Sequence, residues 1–177
     1  MIIGLTGFAQ SGKDTVAKVL VDNYGFKRVA FADPIRKLLY EMNPAVKDGD
    51  YRLQGVVDAY GWDVAKTAFP EVRRLLQDLG VGARKVFGED FWVKQSLASI
   101  LEHEKTVITD VRFVNEADIV KHQAGQVWRI KRMGVGAVNG HVSERDMDGY
   151  PVDQIFANNG TLENLELMIK TRMSGIA

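Results

Sequence analysis

A short β-branched apolar run, Ile2 to Thr6, leads directly into Gly7-Phe8-Ala9-Gln10-Ser11-Gly12-Lys13, which matches the first seven positions of the phosphate-binding loop pattern. Each residue type has a job there. The glycines allow left-handed backbone, so successive N–H groups can approach phosphate oxygens. The helix that begins at the loop adds its positive N-terminal end, and Lys13 supplies a cation that can follow charge between β- and γ-phosphates. Beyond Lys13, the apolar residues Val16, Val19 and Leu20 recur at helical spacing, and Gly25 marks a C-terminal stop. A buried strand, a glycine loop and an amphipathic helix in that order commit the chain to an α/β fold.

One position departs from the pattern. The Ser or Thr that usually follows the lysine, and whose hydroxyl holds Mg²⁺, is Asp14, with Thr15 next. Either Asp14 ligates the metal, since Mg²⁺ favours hard oxygen donors, or it caps the helix while Thr15 contacts phosphate.

The rest of the chain repeats the strand–helix alternation. Val29-Ala30-Phe31 reads as a second strand. Asp33-Pro34 reads as a helix start, Asp as cap and Pro at the first helical position, with Ile35, Leu38, Leu39 and Met42 on one face. Residues 43–69 read as loop and short helix. Pro70 opens a helix with a Val72, Leu75, Leu76, Leu79 stripe, the Gly80 to Arg84 stretch reads as a turn, and Phe91 to Leu101 is another helix. Strands follow at Thr106–Thr109, Gln126–Ile130 and Asp153–Ala157, with helices at Asn115–His122 and Leu162–Met173. Gly134 to Tyr150 reads as a loop or flap. The pattern predicts one α/β domain over 1–177, a five-stranded, mostly parallel sheet covered on both faces, with irregular stretches as insertions.

Composition removes several function classes. With 177 residues there is room for one sizeable core. No cysteine and three scattered His leave no disulfide framework or Cys-ligated zinc, and disfavour a His-only site. Lys plus Arg and Asp plus Glu both number 23, and zero net charge argues against broad capture of nucleic acid. No apolar run approaches the 18 or so residues of a membrane span, and the N-terminus lacks signal-peptide features. The expectation is a soluble cytoplasmic protein, without membrane or nucleic-acid partners.

A phosphate loop indicates a nucleotide, not a reaction. An Asn-Lys-x-Asp guanine-reading segment is absent, which disfavours a switch GTPase. Arginines set among acids (Arg36, Arg73, Arg74, Arg84, Arg112, Arg129, Arg132, Arg145) suit a kinase for a small phosphorylated acceptor, where two polyanions must be brought together. Asp110 sits just past a buried strand, where open α/β sheets place ligand groups, and Arg112 follows two residues later.

Six segments carry a resemblance: Ser11-Gly12-Lys13-Asp14-Thr15, Phe31-Ala32-Asp33-Pro34, Leu75-Leu76-Gln77-Asp78-Leu79-Gly80, Phe91-Trp92, Ile108-Thr109-Asp110-Val111-Arg112-Phe113-Val114-Asn115-Glu116 and His141-Val142-Ser143-Glu144. Together they resemble the deoxynucleoside monophosphate kinases of bacteriophages and bacteria, in which the Gly-Lys-Asp-Thr loop is itself typical. The Gly80 to Arg84 stretch departs from the family's usual Gly-Thr-Glu turn.

The resemblance implies a three-layer P-loop NTPase fold, ATP and Mg²⁺ as cofactors, a deoxynucleoside monophosphate (dNMP) as the other small-molecule partner, and a homodimer. ATP would contact Gly7, Gln10, Ser11, Gly12, Lys13, Asp14, Thr15 and Arg132. Lys13, Asp110, Arg112 and Arg132 would serve catalysis. Asp33, Arg36, Arg74, Gln77, Arg84, Trp92, Asp110 and Glu144 would hold the acceptor. The helical insertion at 33–104 would be the acceptor arm, and 132–150 a lid over ATP. In the host of a phage, the location would be the host cytoplasm.

Plainer readings compete. Arg73 and Arg74 have Glu71 and Asp78 beside them, as on a solvated charged face. Trp92 suits a core as well as a base-stacking platform. Asp110 and Glu116 suit helix caps, and His-x-Ser at 141–143 could cap a helix from Glu144. Other functions open at this point are a phosphomevalonate or dephospho-coenzyme A type of kinase, an ATP-dependent regulatory protein and a nucleic-acid end kinase.

Overall fold

In the computed structural model, residues 1–46, 49–136 and 146–176 are described. The elements run β1 (Ile2–Thr6), α1 (Lys13–Tyr24), β2 (Lys27–Val29), α2 (Asp33–Met42), β3 (Ala45–Val46), β4 (Tyr51–Arg52), α3 (Leu53–Ala68), α4 (Pro70–Phe87), α5 (Phe91–Leu101), β5 (Thr106–Ile108), α6 (Val114–His122), β6 (Gln126–Lys131), β7 (Gln154–Ala157) and α7 (Leu162–Ser174). They cluster into two compact units, one of residues 1–30 and 97–177, the other of residues 31–96.

The first unit is built on a five-stranded sheet in the order β2-β5-β1-β6-β7, every pair parallel. β1 lies in the middle and is buried along its whole length, which is why its sequence is apolar on both faces up to Thr6 rather than alternating. Its two faces meet different helices. Ile3 and Leu5 join a core with Val16 and Leu20 of α1, Trp128, Phe156, and Leu165 and Ile169 of α7. Gly4 faces the other way, and a Cβ there would lie 2.8 Å from Val111 and 3.2 Å from Val120, so α6 packs against bare backbone. Helices on both faces give the three-layer architecture expected.

The second unit is mostly helical. Leu39, Val46, Leu53, Val56, Ala65 and Val72 form its core, with Leu75, Leu76 and Leu79 of the α4 stripe packed against it. Here three expectations are corrected. Residues 43–69 are not loop with a short helix: they form the antiparallel β3–β4 pair and the 16-residue α3. α3 is broken at Gly61, whose φ of 74° and ψ of 164° are not helical, and that glycine with Gly55 weakens the helical signal. The Gly80 to Arg84 stretch is not a turn but part of α4, which runs unbroken to Phe87. On α2, Leu39 alone of the expected stripe is buried; Leu38 and Met42 are exposed.

Smaller shifts have simple causes. β2 occupies Lys27–Val29 rather than 29–31, because pairing of Lys27 with Thr106 sets the register of this edge strand while its charged residues stay exposed. Ala32, not Asp33, is the N-cap of α2, so Asp33 begins the helix and Pro34 follows within its first turn. Gly25 does end α1, at φ 73°, with its N–H on the Leu20 carbonyl.

Candidate active site

The glycine loop hugs the C-terminal ends of β1 and β6. Gly7 has φ 138°, Gln10 φ 63° and Gly12 φ 106°, left-handed positions interspersed with ordinary ones as in a concave backbone nest. A Cβ on Gly7 would fall less than 3.0 Å from the Ile130 carbonyl oxygen, so the close approach of backbone to backbone excludes any side chain there. Lys13, the first residue of α1, turns back over the loop: its Nζ donates to the carbonyls of Gly7 at 2.6 Å and Phe8 at 2.7 Å. Ser11 is 1 % exposed, and its Oγ has no hydrogen-bond partner among the described residues. A buried hydroxyl without a partner costs about 1–3 kcal/mol, so this Oγ marks a place for a polar ligand atom. Asp14 is exposed on the first turn of α1 and Thr15 half-buried beside it; both are oxygen donors at the mouth of the nest.

β5 delivers the next group. Its parallel partner is β1, with Ile108 opposite Gly4. Beyond the strand, the Val111 N–H reaches the Leu5 carbonyl at 3.0 Å, so Asp110 and Arg112 flank a residue pinned to β1. Glu116 is 5 % exposed and accepts from the N–H groups of Arg112 (2.7 Å) and Phe113 (3.1 Å). It caps α6 and holds the Arg112 backbone in place, the helix-cap reading of that residue. Arg112 itself is exposed.

Arg112 and the glycine loop share a cleft. It measures about 250 Å³ and is lined by Gly7, Phe8, Arg112, Arg129 and Lys131 along with residues 147–149. Arg129, half-buried on β6, donates from Nη2 to the carbonyls of Met147 (2.6 Å) and Tyr150 (3.2 Å), tying the end of the 132–150 segment to the sheet. Tyr150 is fixed a second time, by its hydroxyl donating to Asp118 at 2.8 Å. Burial first, and that hydrogen bond second, push its phenol up to about 12. Asp153 lies next along: burial alone would raise its carboxyl, but donation from Lys121 and from the Val127 N–H outweighs this and holds it below the ordinary value. Arg132 is exposed just past β6. His141, Ser143 and Glu144, and the middle of the 132–150 segment, lie outside the described residues.

Of the expected acceptor residues, Asp33, Arg36, Arg74, Gln77, Arg84 and Trp92 belong to the second unit, Asp110 follows β5 in the first, and Glu144 lies outside the described residues. α2 and α4 pack together where Gly80 leaves Ile35 room, its absent Cβ being 3.5 Å from Ile35 Cδ1. That contact sets the helix of Asp33 and Arg36, themselves paired at 3.1 Å, beside the helix of Gln77 and Arg84, both half-buried. Arg74 sits on the exposed side of α4 between two carboxylates, Glu71 at 2.5–2.8 Å and Asp78. Hydrogen bonding to Glu71 first, with Asp78 adding to it, pushes its guanidinium up, as on a solvated charged face. Trp92 is 4 % exposed and donates its indole N–H to the Gly80 carbonyl at 2.9 Å. Its ring is packed among protein groups, as the core reading of this residue expects.

Two residues gain a place that the sequence reading did not assign them. Arg129 is indistinguishable from other arginines until the sheet is assembled. Asn158, directly after β7, donates from Nδ2 to the Ser11 carbonyl at 2.9 Å across 147 residues of chain. The only signal for it is the Asn158-Asn159-Gly160 turn at the C-terminal edge of a parallel strand.

A family model described as deoxynucleotide monophosphate kinase matches residues 1–64 and 63–169. The chain belongs to the deoxynucleotide monophosphate kinase family. A protein of Acanthamoeba polyphaga mimivirus assigned the same name is 32 % identical over 178 residues, covering 92 % of this chain and 91 % of its own length. The deoxynucleotide monophosphate kinase of Escherichia phage RB69 is 27 % identical over 100 residues, covering 53 % and 41 %. Among solved structures, shikimate kinase from Aquifex aeolicus VF5 aligns over 99 % of this chain and 97 % of its own at 16 % identity, with a TM-score of 0.49. A member of this kinase family is a phosphotransferase.

Proposed function

We propose that this kinase transfers the γ-phosphoryl of ATP to a deoxynucleoside 5′-monophosphate, giving the diphosphate and ADP. Family membership supports the acceptor class. The observation that carries the donor reading is the nest at 7–13, with its buried, unpartnered Ser11 hydroxyl and its lysine resting on the loop's own carbonyls.

In this reading, the loop N–H groups and the Ser11 hydroxyl bind the β-phosphate, and Lys13 leaves the Gly7 and Phe8 carbonyls to follow the γ-phosphoryl. Asp14 or the Thr15 hydroxyl would hold Mg²⁺, which supplies charge neutralisation between the β- and γ-phosphates. An ion shared with substrate phosphates requires no all-protein cage, and one or two oxygen donors suffice. The acceptor phosphate is itself the nucleophile and requires little or no base. Catalysis is therefore positioning plus electrostatic stabilisation, with Arg112 pairing spread phosphoryl charge and Asp110 orienting the metal's water shell or the acceptor sugar. Asp33, Arg36, Gln77 and Arg84 would bind the acceptor, and Arg74 would join them by exchanging Glu71 or Asp78 for a phosphate. Arg132 and its following segment cover ATP and exclude water.

The test is ADP formation from Mg·ATP with each deoxynucleoside and ribonucleoside monophosphate, with phosphomevalonate, and with no acceptor. Turnover confined to deoxynucleotides and abolished by Lys13→Ala is the expected result. Acceptor-independent ATP loss, or turnover with phosphomevalonate alone, would sink the acceptor assignment.

A further inference from the structure

Peptide geometry in the nest has a second author besides the glycines. In a trans peptide the C=O and the following N–H point in opposite directions, and no cis bond occurs among the described residues. Anchoring a carbonyl outward therefore aims the next N–H inward. The Gly7 and Phe8 carbonyls instead accept from Lys13 Nζ, which turns back over the loop, and that of Phe8 also from the Ser11 N–H; the Gly12 carbonyl is held by the first turn of α1 through Val16 N–H. The Ser11 carbonyl is held by the Asn158 side chain. In the reading above Lys13 releases its carbonyls to reach phosphate, whereas nothing requires Asn158 to leave the Ser11 carbonyl.

We propose that Asn158 is a positioning residue for phosphoryl transfer: it fixes the Ser11–Gly12 peptide so that the Gly12 N–H faces the donor phosphates. The inference rests on the reading of the loop as the donor-phosphate site. Three further observations support it. A Cβ on Gly12 would lie less than 3.0 Å from Asn158 Nδ2, so the amide is seated directly against the Ser11–Gly12 peptide, and a side chain there would have to displace it. The backbone N–H of Asn158 donates to the Lys131 carbonyl at 2.7 Å, which extends the β6–β7 ladder and makes the amide's base rigid. Its neighbour Asn159 accepts from the Met133 N–H at 2.8 Å through Oδ1, just past Arg132. One asparagine pair thus fastens the phosphate loop and the root of the 132–150 segment to the same strand end.

The experiment compares Asn158→Ala and Asn158→Asp with wild type; the aspartate keeps the shape but puts a carboxylate against the Ser11 carbonyl. The readouts are KM for Mg·ATP, KM for the deoxynucleotide, Tm, and hydrogen exchange of peptides spanning residues 7–15 without ligand. A lost hydrogen bond of ordinary strength predicts an ATP KM raised about 3- to 10-fold for alanine and more for aspartate, an unchanged acceptor KM, and faster exchange at residues 11–13. An asparagine that merely ties down a spare carbonyl would lower Tm while leaving ATP KM and loop exchange as in wild type, and that result overturns the proposal. Lys13→Ala runs alongside: if it leaves turnover intact, the donor-site reading fails instead, whichever way Asn158 behaves.

Discussion

Gly7→Ala offers a sharp test of how the loop is seated, because the cost divides into two parts that a second variant separates. The added methyl would meet the Ile130 carbonyl oxygen at less than 3.0 Å and the Ser11 Oγ at 3.0 Å. The first of these is backbone of a central strand and cannot swing away. Placing a non-glycine residue at φ 138° costs roughly 1–2 kcal/mol, and overpacking of this kind adds roughly 1–3 kcal/mol. Gly25→Ala is the control: φ there is 73°, but nothing lies within 4 Å of the new Cβ, so the conformational part of about 1 kcal/mol stands alone. For a domain of this size each kcal/mol shifts Tm by about 2–4 °C. Thermal unfolding followed by circular dichroism should therefore show a loss of about 2–4 °C for Gly25→Ala and about 4–20 °C for Gly7→Ala, the latter with turnover abolished as the loop is pushed off β6. Equal Tm losses, with full turnover in both, would refute the reasoning.

Lys13→Ala should reduce kcat about 10²–10³-fold while moving Tm by only a few degrees, checked by coupled ADP assay beside a melt. Trp92→Phe should lower Tm by about 2–4 °C through the lost bond to Gly80, of order 1 kcal/mol, with acceptor KM unchanged; a raised KM at constant Tm would restore the stacking role. Asp153 has a depressed carboxyl pKa, so its stabilisation is complete above the ordinary aspartate value of about 3.9 and is lost as pH falls through the lower folded value. Melts from pH 7 to 2.5 should show Asp153→Asn less stable than wild type near neutrality, the gap closing below about pH 4.

Legibility in the sequence followed the nature of the constraint. β1, the loop and α1 could be read because burial on both faces, a φ-demanding turn and a 3.6-residue stripe each leave local marks. β2 was displaced because an edge strand is chosen by its partner: Lys27 and Arg28 pair with β5 despite looking polar, while the apolar Ala30 and Phe31 are buried beyond the strand. α3 was missed because Gly55 and Gly61 dilute a stripe whose Leu53, Val56 and Ala65 are nonetheless buried. Trp92 carried two meanings that only its hydrogen bond to Gly80 separates. Asn158 was invisible for the plainest reason: its partner is 147 residues away, and nothing near it in the chain records the contact.

The position of β1 also has a consequence for biosynthesis. The central strand pairs at Ile2 with Thr106 and at Ile3 with Gln126, so it leaves the ribosome about 100 residues before either neighbour. At about 5–20 residues per second that gap lasts on the order of 5–20 s, during which a largely apolar strand has no sheet to join. Over the same interval the segment 31–96, whose core is closed within itself, is already complete. The order of emergence thus favours the helical unit consolidating first, with the sheet assembling around its earliest-made strand once β5 and β6 have emerged.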